Sequence, residues 1–288
     1  MAETVSDQSE ARAGFADLVR LERIGTDQWG AATTRPGGPP LGLLGARALI
    51  AAGHTLDTDW RWVHSVHLSQ SAEAGPADRE RYLVDRVRDD ECLSTRVVRV
   101  GRDRPGEVAA LATATVSFQV PRRGTGPSYQ SAQPAELPDP HGLPASGAAA
   151  PLEVRRLGPG RHRGWVRVTE ELPDRILPHT AALVYATDLV PLAPSTEGYV
   201  DLETGHRLRP VVLDRTLRVH RSFRADDWVC YEHESVSAAD YRAYATVRFY
   251  SSMGRLIASV SQETALVPDR STAPSQATPK AALSAISA

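Results

Sequence analysis

Apolar residues along this chain fall into two kinds of run. Two runs are apolar nearly all round and long enough for a helix: Leu41-Gly42-Leu43-Leu44-Gly45-Ala46-Arg47-Ala48-Leu49-Ile50-Ala51-Ala52-Gly53, and Pro178 to Leu189, which contains Ala181-Ala182-Leu183-Val184. A helix without a polar face is a buried helix, and Gly53 is a stop signal for the first. The other runs are short and alternate apolar with polar, the period of half-buried strands. Four follow the first helix: Trp60 to Leu68, Tyr82 to Arg88, Leu93 to Val100 and Val108 to Val120. Leu152 to Leu157 and Trp165 to Val168 precede the second helix, and Val211 to Phe223, Trp228 to Val236, Tyr241 to Tyr250 and Leu256 to Val267 follow it. Turns such as Asp89-Asp90-Glu91 make consecutive strands antiparallel. A helix-like lead, Ala11 to Ile24, and a Gly/Pro-rich loop, Arg35 to Pro40, open the chain.

The same scheme therefore occurs twice. Residues 11–120 form one half and 151–267 the other. Between them, 121–150 is rich in Pro, Gly, Ser and Ala and reads as a linker. The polar, small-residue tail 268–288 reads as disordered. Ala112-Thr113-Ala114-Thr115-Val116-Ser117-Phe118-Gln119 and Leu256-Ile257-Ala258-Ser259-Val260-Ser261-Gln262-Glu263 look like one closing strand used twice. One apolar helix with an antiparallel sheet, repeated, predicts an α+β fold: each sheet wraps a central helix, and the two sheets align into one long sheet. Clefts between helix and sheet would suit an acyl chain and an elongated carrier arm.

Charge and composition narrow the function. In 288 residues, 33 Lys and Arg nearly balance 35 Asp and Glu, so no nucleic-acid surface is expected. Two distant cysteines, Cys92 and Cys230, point to a reducing compartment rather than a disulfide framework. Met1 to Arg12 has no apolar signal core, and no run is long enough to cross a bilayer. A soluble, cytoplasmic protein is expected, with a homo-oligomer possible through free sheet edges. His64 and His67, three apart on a strand, are expected to point to opposite faces, so a shared metal is not expected. No metal or redox cofactor is expected. Gly158-Pro159-Gly160-Arg161-His162-Arg163-Gly164 lacks the strand–helix frame of a phosphate loop and reads as a turn.

The chemistry concentrates at Tyr185-Ala186-Thr187-Asp188-Leu189, where a lone carboxylate ends the second buried helix. A buried Asp is costly unless paired or hydrogen-bonded. Asp188 either caps the helix or works, and Gln262, an amide in a small apolar strand, favours work: together the two can hold one water against an acyl carbonyl. These segments, with Leu21-Glu22-Arg23-Ile24, Val63-His64-Ser65-Val66-His67, Ala114 to Gln119, Pro151-Leu152-Glu153-Val154-Arg155, His220-Arg221-Ser222-Phe223 and Ser259 to Glu263, are similar in order and spacing to the acyl-CoA thioesterase II family. That resemblance implies a double hotdog fold and a site in which an Asp, a Ser or Thr and a Gln position the hydrolytic water. The Asp falls on Asp188 and the Gln on Gln262. The hydroxyl position falls on Val212, and where members read Asp-His-Ser this chain has Asp214-Arg215-Thr216. The family's Gly-Gly-Gln is replaced by Leu41-Gly42-Leu43.

Thioester hydrolysis needs an aimed water, a base for its proton and donors for the oxyanion. Asp188 is the candidate base and Gln262 the water holder. A helix-start N–H near Gly42 and Leu43, or near His179, is the candidate oxyanion donor. Val212, Asp214 and Thr216 are expected to line the pocket, the last two on Val212's face by strand alternation. Arg215 reads as solvated or paired with Asp214, with a grip on a carrier phosphate as the alternative. The substrate would be an acyl-CoA or acyl-carrier-protein thioester. Two rivals remain on this fold: a dehydratase or isomerase using Asp188 as acid and base, and a degenerate acyl-binding protein.

Overall fold

A computed structural model describes residues 14–32, 38–58, 60–71, 79–102, 110–121, 128–134, 136–149, 151–158, 162–190, 201, 204–269 and 271. Most of the tail expectation and parts of two loop expectations, 35–37 and 159–161, lie outside them. The described helices are α1 (Phe15–Leu18), α2 (Leu41–Gly53) and α3 (Ile176–Ala186). The first-half strands are β1 (Glu22–Gly25), β2 (Gln28–Ala32), β3 (Trp62–Gln70), β4 (Arg79–Asp89), β5 (Leu93–Arg102) and β6 (Ala110–Gln119). The second half holds β7 (Ala145–Ala149), β8 (Leu152–Arg156), β9 (Arg163–Val168), β10 (Leu208–Val219), β11 (Val229–Ala239), β12 (Arg242–Ser251) and β13 (Leu256–Pro268). They form one antiparallel sheet in the order β1-β2-β4-β5-β6-β3-β10-β13-β12-β11-β9-β8-β7. The halves meet where β3 pairs with β10, from Asp214 opposite Ser69 to Arg218 opposite Ser65. This is the one long sheet of two helix-wrapping halves that the repeated pattern predicts, and the double hotdog that the resemblance implies.

Three elements differ from the sequence expectation. Among the described residues the lead is helical over Phe15–Leu18 and then becomes the β1–β2 hairpin, turned at Asp27 with φ 52°. Both strands are too short to show a period. β7 falls inside the stretch read as linker. Nearby, the Gln130 side chain bonds Gly254 O at 2.9 Å and Leu256 N at 2.9 Å, pinning the linker to the β12–β13 turn.

The two apolar helices pack on each other and against β3. Gly45 permits this approach, since a Cβ there would lie 2.4 Å from Leu68 and 3.0 Å from Val184. The one charge on α2, Arg47, is buried and paired. Its Nη1 donates to both Glu80 oxygens at 2.8 and 3.0 Å, its Nε to Leu18 O at 2.8 Å, and Tyr82 also donates to Glu80. Burial, with Glu80 beside it, holds the Tyr82 phenol well above its usual range. This cluster fixes α2 to β4. Glu80→Gln would leave the guanidinium without its buried counter-charge and should cost about 3–5 kcal/mol, read from the urea midpoint.

A second titratable contact ties β11 to the approach of β9. The imidazoles of His162 and His233 stack at 5.3 Å, with Nδ1 atoms 3.1 Å apart. Burial, and after it the neighbouring His162, pushes His233 down to about 4. The unfolded chain titrates this His near 6.5, so it binds more protons than the folded chain between the two values. The contribution is complete above about pH 6.5 and is lost as the pH falls toward 4, by about 3 kcal/mol. Urea midpoints across that window should fall with pH, and His233→Asn should flatten the slope.

Candidate active site at the junction of the halves

Helix α2 begins without a cap of its own. Its N-cap is Pro40, which has no polar side chain and makes no capping bond. The first N–H groups of a helix need acceptors, and the dipole favours an anion there. Asp188 meets that need from 146 residues away: Oδ1 accepts from Gly42 N at 2.8 Å and Oδ2 from Leu43 N at 3.1 Å. Asp188 itself lies two residues past α3, in the turn that follows it. One carboxylate thus joins the end of one central helix to the start of the other.

Opposite stands Arg215 of β10. It is buried at 5% exposure, and its Nη1 lies 3.0 Å from Asp188 Oδ1. Nη1 also donates to Thr187 Oγ1, and Nε donates to Gln262 Oε1 at 2.9 Å. Gln262 in turn donates from Nε2 to Thr264 Oγ1 at 3.1 Å. Thr187, Gln262 and Thr264 are each 1% exposed. The chain Asp188–Arg215–Gln262–Thr264 is a polar line through an apolar core, and bonding to neighbours is what makes its burial tolerable.

A bulge sets which side chains take part. On β13, Val212 faces Thr264 but Asp214 faces Glu263, so Leu213 is an extra residue on β10. The side-chain alternation reverses there. Arg215 and Leu217 turn toward the helices, while Asp214 and Thr216 turn away. Thr216 bonds His67 Nδ1 at 2.7 Å on the outer face. The expectation that Asp214 and Thr216 share Val212's face is therefore corrected, as is the solvated Arg215. Val212 is half-buried against the core.

Other expected residues also find different work. The N–H groups of Gly42 and Leu43 are engaged by Asp188. Gln262 has both ends of its amide engaged, so its direct contact is with Arg215. His179 sits on the first turn of α3, at the end opposite Asp188, where Nδ1 accepts from Ala225 N at 3.1 Å. Burial holds this imidazole below its usual range. Thr187 and Thr264 are not singled out by the sequence, and Arg215 is read there as solvated, paired with Asp214 or gripping a carrier phosphate rather than as the partner of Asp188. Leu217 and Val219 carried the signal for Arg215: an inward apolar set out of step with Val212 requires a bulge between them.

The space bordered by Val66, Leu68, Val184, Thr187, Arg215 and Leu217 is closed, with ≈ 0 Å³ left for a water. The Asp188 side chain is 12% exposed, so it is not sealed from solvent. Oδ2 accepts only from Leu43 N among the described residues. Among those residues no group of three or more His, Cys, Asp and Glu is placed to hold a metal, and no helix is long and apolar enough to cross a membrane.

Residues 105–266 match the family model of the acyl-CoA thioesterase C-terminal domain. The chain is 26% identical over 255 residues to acyl-CoA thioesterase 2 of Haemophilus influenzae, covering 77% of this chain and 85% of that one. Its structure is similar to acyl-CoA thioesterase II TesB2 of Mycobacterium marinum, with TM-score 0.72, 27% identity, and coverage of 90% of this chain and 100% of the other. A hot dog fold protein of Alicyclobacillus acidocaldarius shares the fold at TM-score 0.69 and 17% identity, over 88% of this chain and 98% of that one.

Gly42 provides the local test. A Cβ there would lie 2.5 Å from Asp188 Oδ2, so the carboxylate could not stay on the helix. Gly42→Ala should destabilise the chain by about 1–3 kcal/mol despite the better helix propensity of Ala, measured by thermal or urea unfolding.

Proposed function

The chain belongs to the acyl-CoA thioesterase family, and we propose that it hydrolyses acyl thioesters at the Asp188–Arg215 junction. An acyl-CoA thioester is the substrate class that the family relation implies; an acyl-carrier-protein thioester presents the same reacting group. The observation that carries the reading is Asp188, a carboxylate held at a helix start, with one oxygen lightly bonded and the side chain not sealed from solvent. Its Oδ2 takes the proton of the attacking water. The Gly42 and Leu43 N–H groups are already engaged, so the positive charge that meets the oxyanion comes from Arg215. No bond from Arg215 Nη2 to another described residue is found, and its two protons face the tetrahedral intermediate. Gln262 and Thr264 hold the guanidinium in place. When the thiolate leaves, it takes the proton that Asp188 accepted. Val212 stands where the family pattern has a hydroxyl, and Arg215 compensates for that loss.

One observation favours a second reading, acyl binding without turnover: the Asp188–Arg215 pair leaves no room for a water between its members. Mass spectrometry of products from a panel of acyl-CoA and carrier-bound thioesters separates the two. Free acid from the native chain supports hydrolysis, and unchanged ligand supports binding alone. Asp188→Asn should lower turnover about 10²–10⁴-fold, the usual worth of a positioned base. Arg215→Met should cost about 10²–10³-fold, as removal of an oxyanion donor does. Val212→Thr should raise turnover by restoring a water-holding hydroxyl. A gain in turnover with Arg215→Met would assign the arginine to closing the site and not to catalysis.

A further inference from the structure

Just past the C-terminal end of β10 lies a groove of ≈ 380 Å³, walled by Trp62, His220, Arg221, Ser222, Met253 and Arg255. That volume is within the range of small-molecule sites. Buried Ile257 also lines it, and His220 on its wall lies on the side of the sheet turned away from the helices. His220 Nε2 bonds Ser259 Oγ at 2.9 Å, and Ser259 lies between the inward-facing Ala258 and Val260. His220 is five positions beyond Arg215, about 17 Å along a strand, so the groove is separate from the hydrolytic junction.

The walls are cationic. Arg221 is anchored, with Nη1 donating to Leu256 O at 2.8 Å and Nη2 to Ser128 Oγ at 3.4 Å. Arg255 is bound only through its backbone, N to Ser251 Oγ at 3.3 Å, and no bond or ion pair of its guanidinium with a described residue is found. No Asp or Glu lines the groove among the described residues. Partial burial, and then the guanidinium groups of Arg221 and Arg218, press His220 below its usual range. An anion entering here meets positive charge from several sides, and guanidinium groups match phosphate oxygens in geometry. The other walls suit a flat ring: the indole of Trp62 and the exposed side chain of Met253.

We propose that this groove binds a nucleoside phosphate, its base against Trp62 and Met253 and its phosphate between Arg221 and Arg255. Two sources carry that chemistry, the phosphorylated adenosine end of coenzyme A and a free nucleotide. The proposal does not depend on hydrolysis at Asp188.

Isothermal titration of the full chain with ADP, coenzyme A and inorganic phosphate tests it. ADP should bind saturably at one site. Arg255→Glu, on an exposed turn, should weaken binding about tenfold or more, and Trp62→Leu should weaken it too, with folding checked by circular dichroism. Asp188→Asn should bind ADP as the native chain does, whether or not it still hydrolyses thioesters. Coenzyme A binding tighter than ADP identifies the carrier as the source, and equal or weaker binding identifies a free nucleotide. Both results uphold the groove. Absence of saturable binding by ADP, affinity unchanged by both substitutions, or inorganic phosphate binding as tightly as ADP would overturn it.

Discussion

Everything near the site depends on where one carboxylate is held. Asp188 caps a helix that has no cap of its own, and it is the counter-charge of a guanidinium that could not otherwise be buried. The pair spans the boundary between the two repeats, because α2 belongs to the first and both Asp188 and Arg215 to the second. In a low-dielectric setting such a pair is strong only when its remaining donors and acceptors are also matched. Thr187 and Gln262 supply that matching by each accepting from Arg215, and Gln262 donates on to Thr264.

The same geometry shapes the chemistry. A base must be charged, reachable and poor in competing donors on the oxygen that reacts. Asp188 meets this at Oδ2 and not at Oδ1, which is bonded by both Gly42 N and Arg215. An Arg in place of the family's His changes what the strand offers: a permanent cation with five donors instead of a titrating ring. In the proposed hydrolysis the free edge of that guanidinium, Nη2, is the one offered to the acyl carbonyl. Membership of the thioesterase family makes hydrolysis the natural use of this arrangement.

Much of the fold was legible in the sequence because the two helices are apolar all round and the long strands alternate cleanly. β4, β5, β12 and β13 start or end within a few residues of the runs that predict them. β1, β2 and β7 were not legible, since four or five residues show no period and β7 is made of Ala, Ser and Gly. At the site, Asp188 and Gln262 stood out as polar groups in apolar surroundings. The partner between them did not, because alternation counted from Val212 places Arg215 outside, and only the extra residue at Leu213 brings it in. The Gly42 and Leu43 N–H groups were read as oxyanion donors because nothing in the local sequence shows that a distant carboxylate takes them.

A double-mutant cycle on Asp188 and Arg215 tests the central claim most directly. Unfolding free energies are measured for the native chain, Asp188→Asn, Arg215→Met and the double variant. If the pair is a coupled, buried unit, each single change strands a partner, and the double variant should be more stable than the sum of the single losses predicts, by about 2 kcal/mol or more. Losses that simply add would show that Asp188 and Arg215 act independently and would contradict the account.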